Sequence, residues 1–242
     1  MFILKKMFTR SWILATLLVF AGSIFCIRMG IWQLDRLEQR RAFNAQVESM
    51  RAEELLNLNQ SVPVDISRME WRAVSVTGEY DFENQVALRN QYNGTEYGYH
   101  LVTPLNFSDG KAVLVDRGFI PADGNSTPKD WRKYDEMGLV TVTGQIRLGQ
   151  EKPAFGGVAD PNADHLDIWN NLDMDRISMQ SSFPILPVFV QPDAVAGDST
   201  PPIPYQPVVE LTEGPHFGYA LQWFSFAAIL FLGYPFYLRK QQ

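Results

Sequence analysis

The hydrophobic positions of this chain are concentrated in two uncharged segments, one near each end. Residues 12–27 read WILATLLVFAGSIFCI and hold no charged side chain. A helix of that length spans only ~24 Å, short of the ~30 Å hydrocarbon core of a bilayer, so the predicted membrane helix extends over residues 12–32. Arg28 would then extend to the lipid headgroups, and Trp12 and Trp32 would lie at the two interfaces.

The second uncharged segment, residues 217–238, reads FGYALQWFSFAAILFLGYPFYL and predicts a second membrane helix. The tails at residues 1–11 and 239–242 carry basic residues and no acidic ones. Because basic tails stay on the cytoplasmic side, we expect both termini in the cytoplasm and residues 33–216 outside. The short first tail leaves little room for a mitochondrial transit peptide, so the expected location is a bacterial plasma membrane.

A cleaved signal peptide is an alternative interpretation of the first segment. Lys5, Lys6 and Arg10 would form its basic region, and Val19-Phe20-Ala21 would precede its cleavage site. The sequence alone leaves this alternative open.

Between the two spans the pattern changes to a charged helix followed by short strands. Residues 33–56 are rich in Glu, Arg, Leu and Ala, which predicts a juxtamembrane helix, and residues 57–216 predict a strand-rich extracytoplasmic domain. The expected strands are residues 73–77, 86–88, 97–105, 111–120, 139–148, 187–191 and 208–211, with a linker at 57–63, turn signals at Asn93-Gly94 and Ser108-Asp109-Gly110, and a helix at 173–180. The expected fold is an α+β membrane protein in which two membrane helices flank a mostly antiparallel, barrel-like domain with one or two helices.

Composition and charge narrow the possible functions. The single cysteine excludes an internal disulfide and a multi-cysteine metal site, and three histidines leave little room for a multi-histidine one. A net charge of −6, with all 27 acidic residues between the two spans, argues against a nucleic-acid partner. The chain has no GxSxG, Walker, GxGxxG or HExxH motif, so we expect no enzymatic activity; a membrane-anchored hydrolase is the weakest hypothesis.

Three polar features of the outer domain favour structural roles. Asp160-x-Asn162-x-Asp164 resembles half of a calcium loop, but the glycine and the glutamate that this geometry requires are absent, which favours a polar loop. Arg117 lies in a strand that looks buried, so we expect it to pair with a carboxylate. His100 lies within a strand pattern, which favours a packed or edge histidine.

His216 stands at the outer mouth of the second span. On a helix, Tyr219, Ala220, Trp223 and Ala227 share its face, and the small alanines would leave room for a flat ligand. A neutral imidazole is a common axial ligand of haem iron; the alternative is an interfacial histidine that bonds headgroups or a carbonyl.

Gly22, Cys26 and Gly30 recur every four residues in the first span. Such spacing predicts that the two membrane helices approach closely there. Cys26 would then be a packing residue.

Four motifs follow one another along the chain in a recognisable order. They are Gly30-Ile31-Trp32-Gln33 with Arg36; Gly98 to Leu105, which includes Thr103 and Pro104; Arg117-Gly118-Phe119-Ile120-Pro121; and His216 to Phe224, which includes Tyr219 and Trp223. Their order and spacing resemble the Surfeit locus protein 1 family, membrane assembly factors for cytochrome c oxidase. Two departures are Phe119 for a family tryptophan and Gly214-Pro215 where the family often has Asn-Asn.

The resemblance implies two membrane helices around an extracytoplasmic domain and no enzymatic activity. It implies a role in maturing the haem-bearing oxidase subunit, with that subunit or other assembly factors as partners besides the bilayer. It further implies that haem a binds through His216; Tyr219 and Trp223, which share its helix face, are the further candidate contacts. The alternative is a membrane-anchored scaffold domain without a cofactor.

Overall fold

A computed structural model describes residues 2–107, 110–151, 153, 156–181, 183–194, 197, 199–205 and 207–241, with side chains from residue 5 onward. The chain divides into a helical unit, Met1–Gln46 with Val209–Gln242, and a barrel unit, Val47–Val208. Part of the expected turn at Ser108 and Asp109 lies outside the described residues.

The helical unit is built mainly from two long helices. The helices of the chain are α1 (Phe2–Met7), α2 (Ile13–Ala52), α3 (Pro128–Trp131), α4 (Met174–Gln180) and α5 (His216–Lys240). Both α2 and α5 contain segments long and apolar enough to cross a membrane, which agrees with the expected pair of membrane helices. Helix α2 ends at Ala52 and not at the expected residue 56, because Leu56 and Leu58 instead bury their side chains in the barrel core.

Small residues let α2 and α5 approach closely, as the spacing predicted. A Cβ atom on Gly30 would lie 2.6 Å from the ring of Phe224, and one on Gly22 would lie 3.4 Å from Leu230. Cys26 is buried between these glycines along α2. The geometry therefore confirms Cys26 as a packing residue.

The two chain ends lie together at one end of this helix pair. Lys6 Nζ donates hydrogen bonds of 3.1 Å to the backbone oxygens of Leu238, in the last turn of α5, and Gln241, just after it. One turn further in, the Thr16 and Tyr234 hydroxyls are 2.6 Å apart. The basic tails therefore share one end of the pair, and His216, the first residue of α5, lies at the other end.

The barrel unit confirms the expected barrel-like sheet. In the described part of the chain its strands are β1 (Leu56–Asn57), β2 (Ala73–Tyr80), β3 (Val86–Asn93), β4 (Glu96–Phe107), β5 (Lys111–Pro121), β6 (Leu139–Arg147), β7 (Ile168–Trp169) and β8 (Ile185–Pro192). They are ordered β1-β2-β6-β8-β5-β4-β3-β7, and a further β2–β4 pairing closes the ring. Pairing is antiparallel except for β1–β2, β3–β7 and β5–β8. The core inside the ring is formed by alternating residues such as Val74 and Val76 of β2.

Closure of the barrel depends on Gly78, which interrupts the alternating pattern of the sequence. Strand β2 continues through Gly78 and still pairs with β6 at Glu79, where its other edge begins to pair with β4. A Cβ atom on Gly78 would lie 2.1 Å from the backbone oxygen of Asn106 in β4. The missing side chain therefore permits the close backbone approach that completes the barrel.

The remaining differences from the sequence prediction concern short elements. Residues 208–211 form no strand, and Val208 is exposed, so its apolar side chain finds no sheet to cover. Strands β1 and β7 are only two residues long and have no alternation that a pattern could detect. Helix α4 begins where expected, with the Asp173 carboxylate accepting from the Arg176 backbone N–H.

Candidate functional site

The side chain of His216 is oriented by Gln33 of the facing helix. His216 Nδ1 is 2.8 Å from Oε1 of Gln33, and Gln33 is buried. An amide oxygen can only accept, so Nδ1 carries the hydrogen and Nε2 of the neutral ring keeps its lone pair. The bond therefore brings together the first and last of the sequence motifs and fixes the tautomer of the ring.

The outward nitrogen of this ring is available to a ligand. His216 is half-buried, and among the described residues Nε2 has no hydrogen-bond partner. A Cβ atom on Gly214 would lie 3.5 Å from Nε2, so the glycine keeps this approach clear of side chains. The Gly214-Pro215 departure from the family pattern thus leaves the start of α5 intact and the ring accessible.

A cavity of about 260 Å³ lies beside the ring and is positively charged. Its walls are formed by His216 and by Arg36, Gln39, Arg40 and Phe43 of α2. With Gln33, these residues are called the His216 cluster below. The sequence indicated His216, Gln33 and Arg36 as site residues but missed Arg40, whose only signal is its position one helical turn after Arg36.

The segment before His216 is fastened to α2 by two adjacent arginines. Arg41 forms hydrogen bonds of 2.7 and 2.9 Å with both carboxylate oxygens of Glu213. This pairing lowers the pKa of the Glu213 carboxyl and raises that of Arg41. Arg40 donates instead to the backbone oxygens of Glu210, at 3.0 Å, and Thr212, at 3.3 Å.

The other expected haem contacts are placed differently. Tyr219 is 46% exposed, and Trp223 packs edge-on against Phe25 with ring centroids 5.8 Å apart. Ala220 and Ala227 are buried, so the room expected beside them is filled by protein. The role of Tyr219 and Trp223 as haem contacts stays a prediction.

The donor set at this end of the helix pair fits an axial ligand of haem iron. Metal-bound histidines usually donate their second ring N–H to an acceptor, which is the part that Gln33 plays for His216. A cavity of about 260 Å³ is smaller than the ~300–1,000 Å³ of sites that enclose a whole ligand. A porphyrin held here would therefore keep part of its surface outside the protein.

The barrel motifs meet in a second polar cluster around Arg117. The Thr103 hydroxyl donates to Gln85 Oε1 at 2.6 Å, and Arg117 Nη1 donates to the same oxygen at 3.2 Å. Arg117 Nη2 donates to the backbone oxygen of Tyr134. We call Gln85, Thr103 and Arg117 with the ring of Tyr80 the Arg117 cluster. No sequence pattern indicated Gln85, which directly precedes β3.

The prediction that Arg117 pairs with a carboxylate is wrong. Among the described residues, no carboxylate lies within ion-pair distance of its guanidinium, which faces the rings of Tyr80 at 4.9 Å and Phe82 at 5.2 Å. Aromatic faces and neutral oxygens can hold a guanidinium without a salt bridge. Burial lowers the pKa of Arg117 and raises the pKa of Tyr80 to about 12, against the effect of the Arg117 charge on the phenol.

Three further motif residues shape the backbone of the barrel. Gly118 has φ +115°, and a Cβ atom there would lie 2.1 Å from the backbone oxygen of Ile203. Pro121 ends β5, and Pro104 accepts at its backbone oxygen from the Asp81 N–H at 2.8 Å. These positions therefore serve strand contacts, and none of them lines the cavity at His216.

The remaining polar candidates also have structural surroundings. His100 Nδ1 is 3.0 Å from the Asp116 carboxylate with both side chains buried, which confirms the expectation of a packed histidine. Asp160 accepts from the Asn170 N–H at 2.6 Å and the Asn171 N–H at 3.0 Å. Its carboxylate therefore closes a loop, as favoured over a calcium ligand.

Comparison with known proteins agrees with the resemblance of the motifs. Residues 20–228 match the SURF1 family. A SURF1-like protein of Monosiga brevicollis is 29% identical over 226 residues, covering 88% of this chain and 83% of that protein. Surfeit locus protein 1 of Mus musculus is 26% identical over 228 residues, covering 88% and 72%. An uncharacterized SURF1-like protein of Mycobacterium bovis is 24% identical over 230 residues, covering 92% and 82%. Because the match extends from the first apolar helix through the barrel into the last helix, this chain belongs to the SURF1 family.

Proposed function

We propose that this protein is a membrane-anchored assembly factor for cytochrome c oxidase that binds haem a through His216 and catalyses no reaction. The family resemblance supports the oxidase as the partner. The observation that carries the haem site is the 2.8 Å hydrogen bond between His216 Nδ1 and Gln33 Oε1. It holds the ring in the tautomer whose Nε2 can bind a metal ion.

The chemistry of the site is binding and release. When bound, haem supplies an iron that accepts the lone pair of His216 Nε2. Gln33 fixes the plane of that ring, and Gly214 leaves the approach open. The small cavity holds a haem only in part, which suits a carrier that must hand it to the oxidase subunit.

The proposed topology places this site on the outer surface of a bacterial plasma membrane. The basic residues Lys5, Lys6, Arg239 and Lys240 belong to tails that share one end of the helix pair. That end is expected in the cytoplasm, because basic flanks are retained there. His216 begins α5 at the opposite end and so would face outside.

An absorption spectrum of the purified full-length protein with added haem tests this function. The parent should show the spectrum of a histidine-ligated haem, and His216→Ala should lose it. His165→Ala is the matched control, since His165 is exposed and, within the described part of the chain, pairs with Asp167 alone. Equal haem in the parent and His216→Ala, or none in either, would contradict the proposal.

A scaffold without a cofactor is the second candidate, and an open groove of the barrel favours it. The groove has a volume of about 780 Å³ and contains exposed Met137 and Leu139. Because these side chains line one groove, they can form the kind of contiguous apolar patch that marks a protein contact surface. The scaffold predicts that an oxidase subunit co-purifies equally with the parent and His216→Ala but less with Leu139→Asp.

A further inference from the structure

We infer that Arg36 and Arg40 bind the carboxylate groups of the haem whose iron is held by His216. This inference rests on the proposed function and adds the anionic half of the site. It starts from the walls of the cavity beside His216, where both arginines stand on one face of α2, four residues apart.

The two arginines differ from their neighbour Arg41 in how their charges are paired. Arg41 is neutralised by two hydrogen bonds with the Glu213 carboxylate. Arg40 is held by two backbone oxygens, and Arg36 Nη1 by the amide oxygen of Gln39 at 2.7 Å. Neutral oxygens orient a guanidinium without cancelling its charge, and among the described residues neither Arg36 nor Arg40 forms an ion pair.

Two uncompensated like charges at this spacing repel each other on a helix. The chain has 27 acidic residues against 21 basic ones, so pairing partners are abundant elsewhere. The contacts that Arg36 and Arg40 do make leave guanidinium N–H groups unused, because each group has five. An anionic ligand would use those donors and relieve the repulsion.

Haem is such a ligand, because it carries its carboxylates on one edge of an apolar ring. Arginine binds carboxylates through a planar fork of two N–H donors. With His216 on the iron and the two arginines on the edge, the porphyrin would be held at two points in one orientation. Phe43, which also lines the cavity, supplies an apolar surface beside them.

The test compares iron protoporphyrin IX with its dimethyl ester, which has the same ring and iron but no carboxylate charge. Both are titrated into the full-length protein in detergent, for the parent, Arg36→Gln, Arg40→Gln and the double variant. Each exposed charge pair contributes up to about a fivefold change in affinity. The parent should therefore bind the ester about tenfold more weakly, and the double variant should bind both ligands equally.

The double variant Arg41→Gln with Glu213→Gln is the matched control. It removes the ion pair beside the cavity without changing net charge, and it should keep the parent's preference for free haem. An equal preference in the parent and the Arg36/Arg40 double variant overturns the inference. A lower affinity for both ligands in Arg40→Gln, with the preference unchanged, also overturns it by showing that Arg40 only fastens the neighbouring segment. If the parent binds neither ligand, the proposed function itself fails.

Discussion

The Arg117 cluster of the barrel and the His216 cluster of the helical unit are built from similar polar groups in different surroundings. In the barrel, Arg117 and Thr103 share Gln85 as an acceptor, and all three side chains are buried. In the helical unit, the His216 cluster opens to a cavity, and among the described residues the ring's Nε2 has no hydrogen-bond partner and the two arginines form no ion pair. Half of the members of each cluster are motif residues.

The difference separates two reasons why a polar residue stands in a motif. A buried polar group whose partners are all within the protein contributes to stability, and its loss leaves those partners unsatisfied. A polar group with unused capacity at a surface contributes little to stability and is available to a ligand. Substitutions in the barrel should therefore change unfolding, and those at the helix ends should change haem binding.

The largest effect is expected for Gly118→Ala in the barrel. The new Cβ atom would meet the Ile203 oxygen at 2.1 Å, at a φ of +115° that alanine avoids. We expect a loss of about 4 kcal/mol in the free energy of unfolding. Denaturant unfolding followed by fluorescence of the buried Trp131 and Trp169 measures it.

Gly124→Ala is the control for Gly118→Ala. Gly124 also has a positive φ, but no atom lies within 4 Å of its would-be Cβ. Gly124→Ala should therefore lower the free energy of unfolding by about 1 kcal/mol, because alanine disfavours a positive φ. Equal losses in the two variants would show that the close approach to Ile203 contributes nothing.

The next effect compares Arg117→Ala with Arg132→Ala. Arg117 is buried without an ion pair, whereas Arg132 is partly exposed and pairs with both Glu83 and Asp135. Arg117→Ala should cost about 3 kcal/mol in unfolding free energy because it removes the hydrogen bonds of a buried guanidinium to Gln85 Oε1 and to the Tyr134 backbone oxygen, and Arg132→Ala less than about 1 kcal/mol. A larger loss of unfolding free energy for Arg132→Ala than for Arg117→Ala would show that burial is not the dominant factor.

High pH should weaken the barrel through Tyr80. Its pKa is about 12 in the folded state, above the ~10 of a free tyrosine, so the folded protein retains a proton that the unfolded chain releases. The contribution of Tyr80 to the free energy of unfolding is therefore fully present below pH ~10. The free energy of unfolding falls by about 2 kcal/mol as the pH rises towards 12. The difference between the unfolding curves of the parent and Tyr80→Phe should show this decline, and parallel curves would contradict it.

A smaller effect, on binding alone, is expected for Gln33→Leu. Loss of the acceptor for His216 Nδ1 should weaken haem binding about tenfold, with little change in unfolding. Gln33→Glu keeps an acceptor and should bind at least as well as the parent. Gln222→Leu, at an exposed position of α5, is the control for the amide loss. Unchanged binding in Gln33→Leu would show that the ring needs no orienting partner.

The sequence predicted the architecture more fully than it predicted the contacts. Charge-free segments and alternating strands follow directly from burial, so the membrane helices and most strands could be located. The end of α2 was misplaced, because the burial of Leu56 and Leu58 depends on strands far away in sequence. Gly78 looked like an interruption, since its use depends on the backbone of β4.

The sequence predicted several residues of the candidate site but not the contacts between them. Motif order indicated His216, Gln33 and Arg36, yet only the structure shows that Gln33 orients the ring. Arg117 was expected to need a carboxylate, because a linear sequence cannot show that aromatic faces will surround it. Patterns along the chain therefore do not show which residues distant in sequence are in contact.

A rescue experiment tests whether His216 Nε2 is the atom that binds haem iron. His216→Gly removes the ring and leaves a space that free imidazole can fill. We expect that the variant binds no haem in plain buffer and regains the parent's histidine-ligated spectrum when imidazole is added. A parent-like spectrum in His216→Gly before any imidazole is added would contradict it.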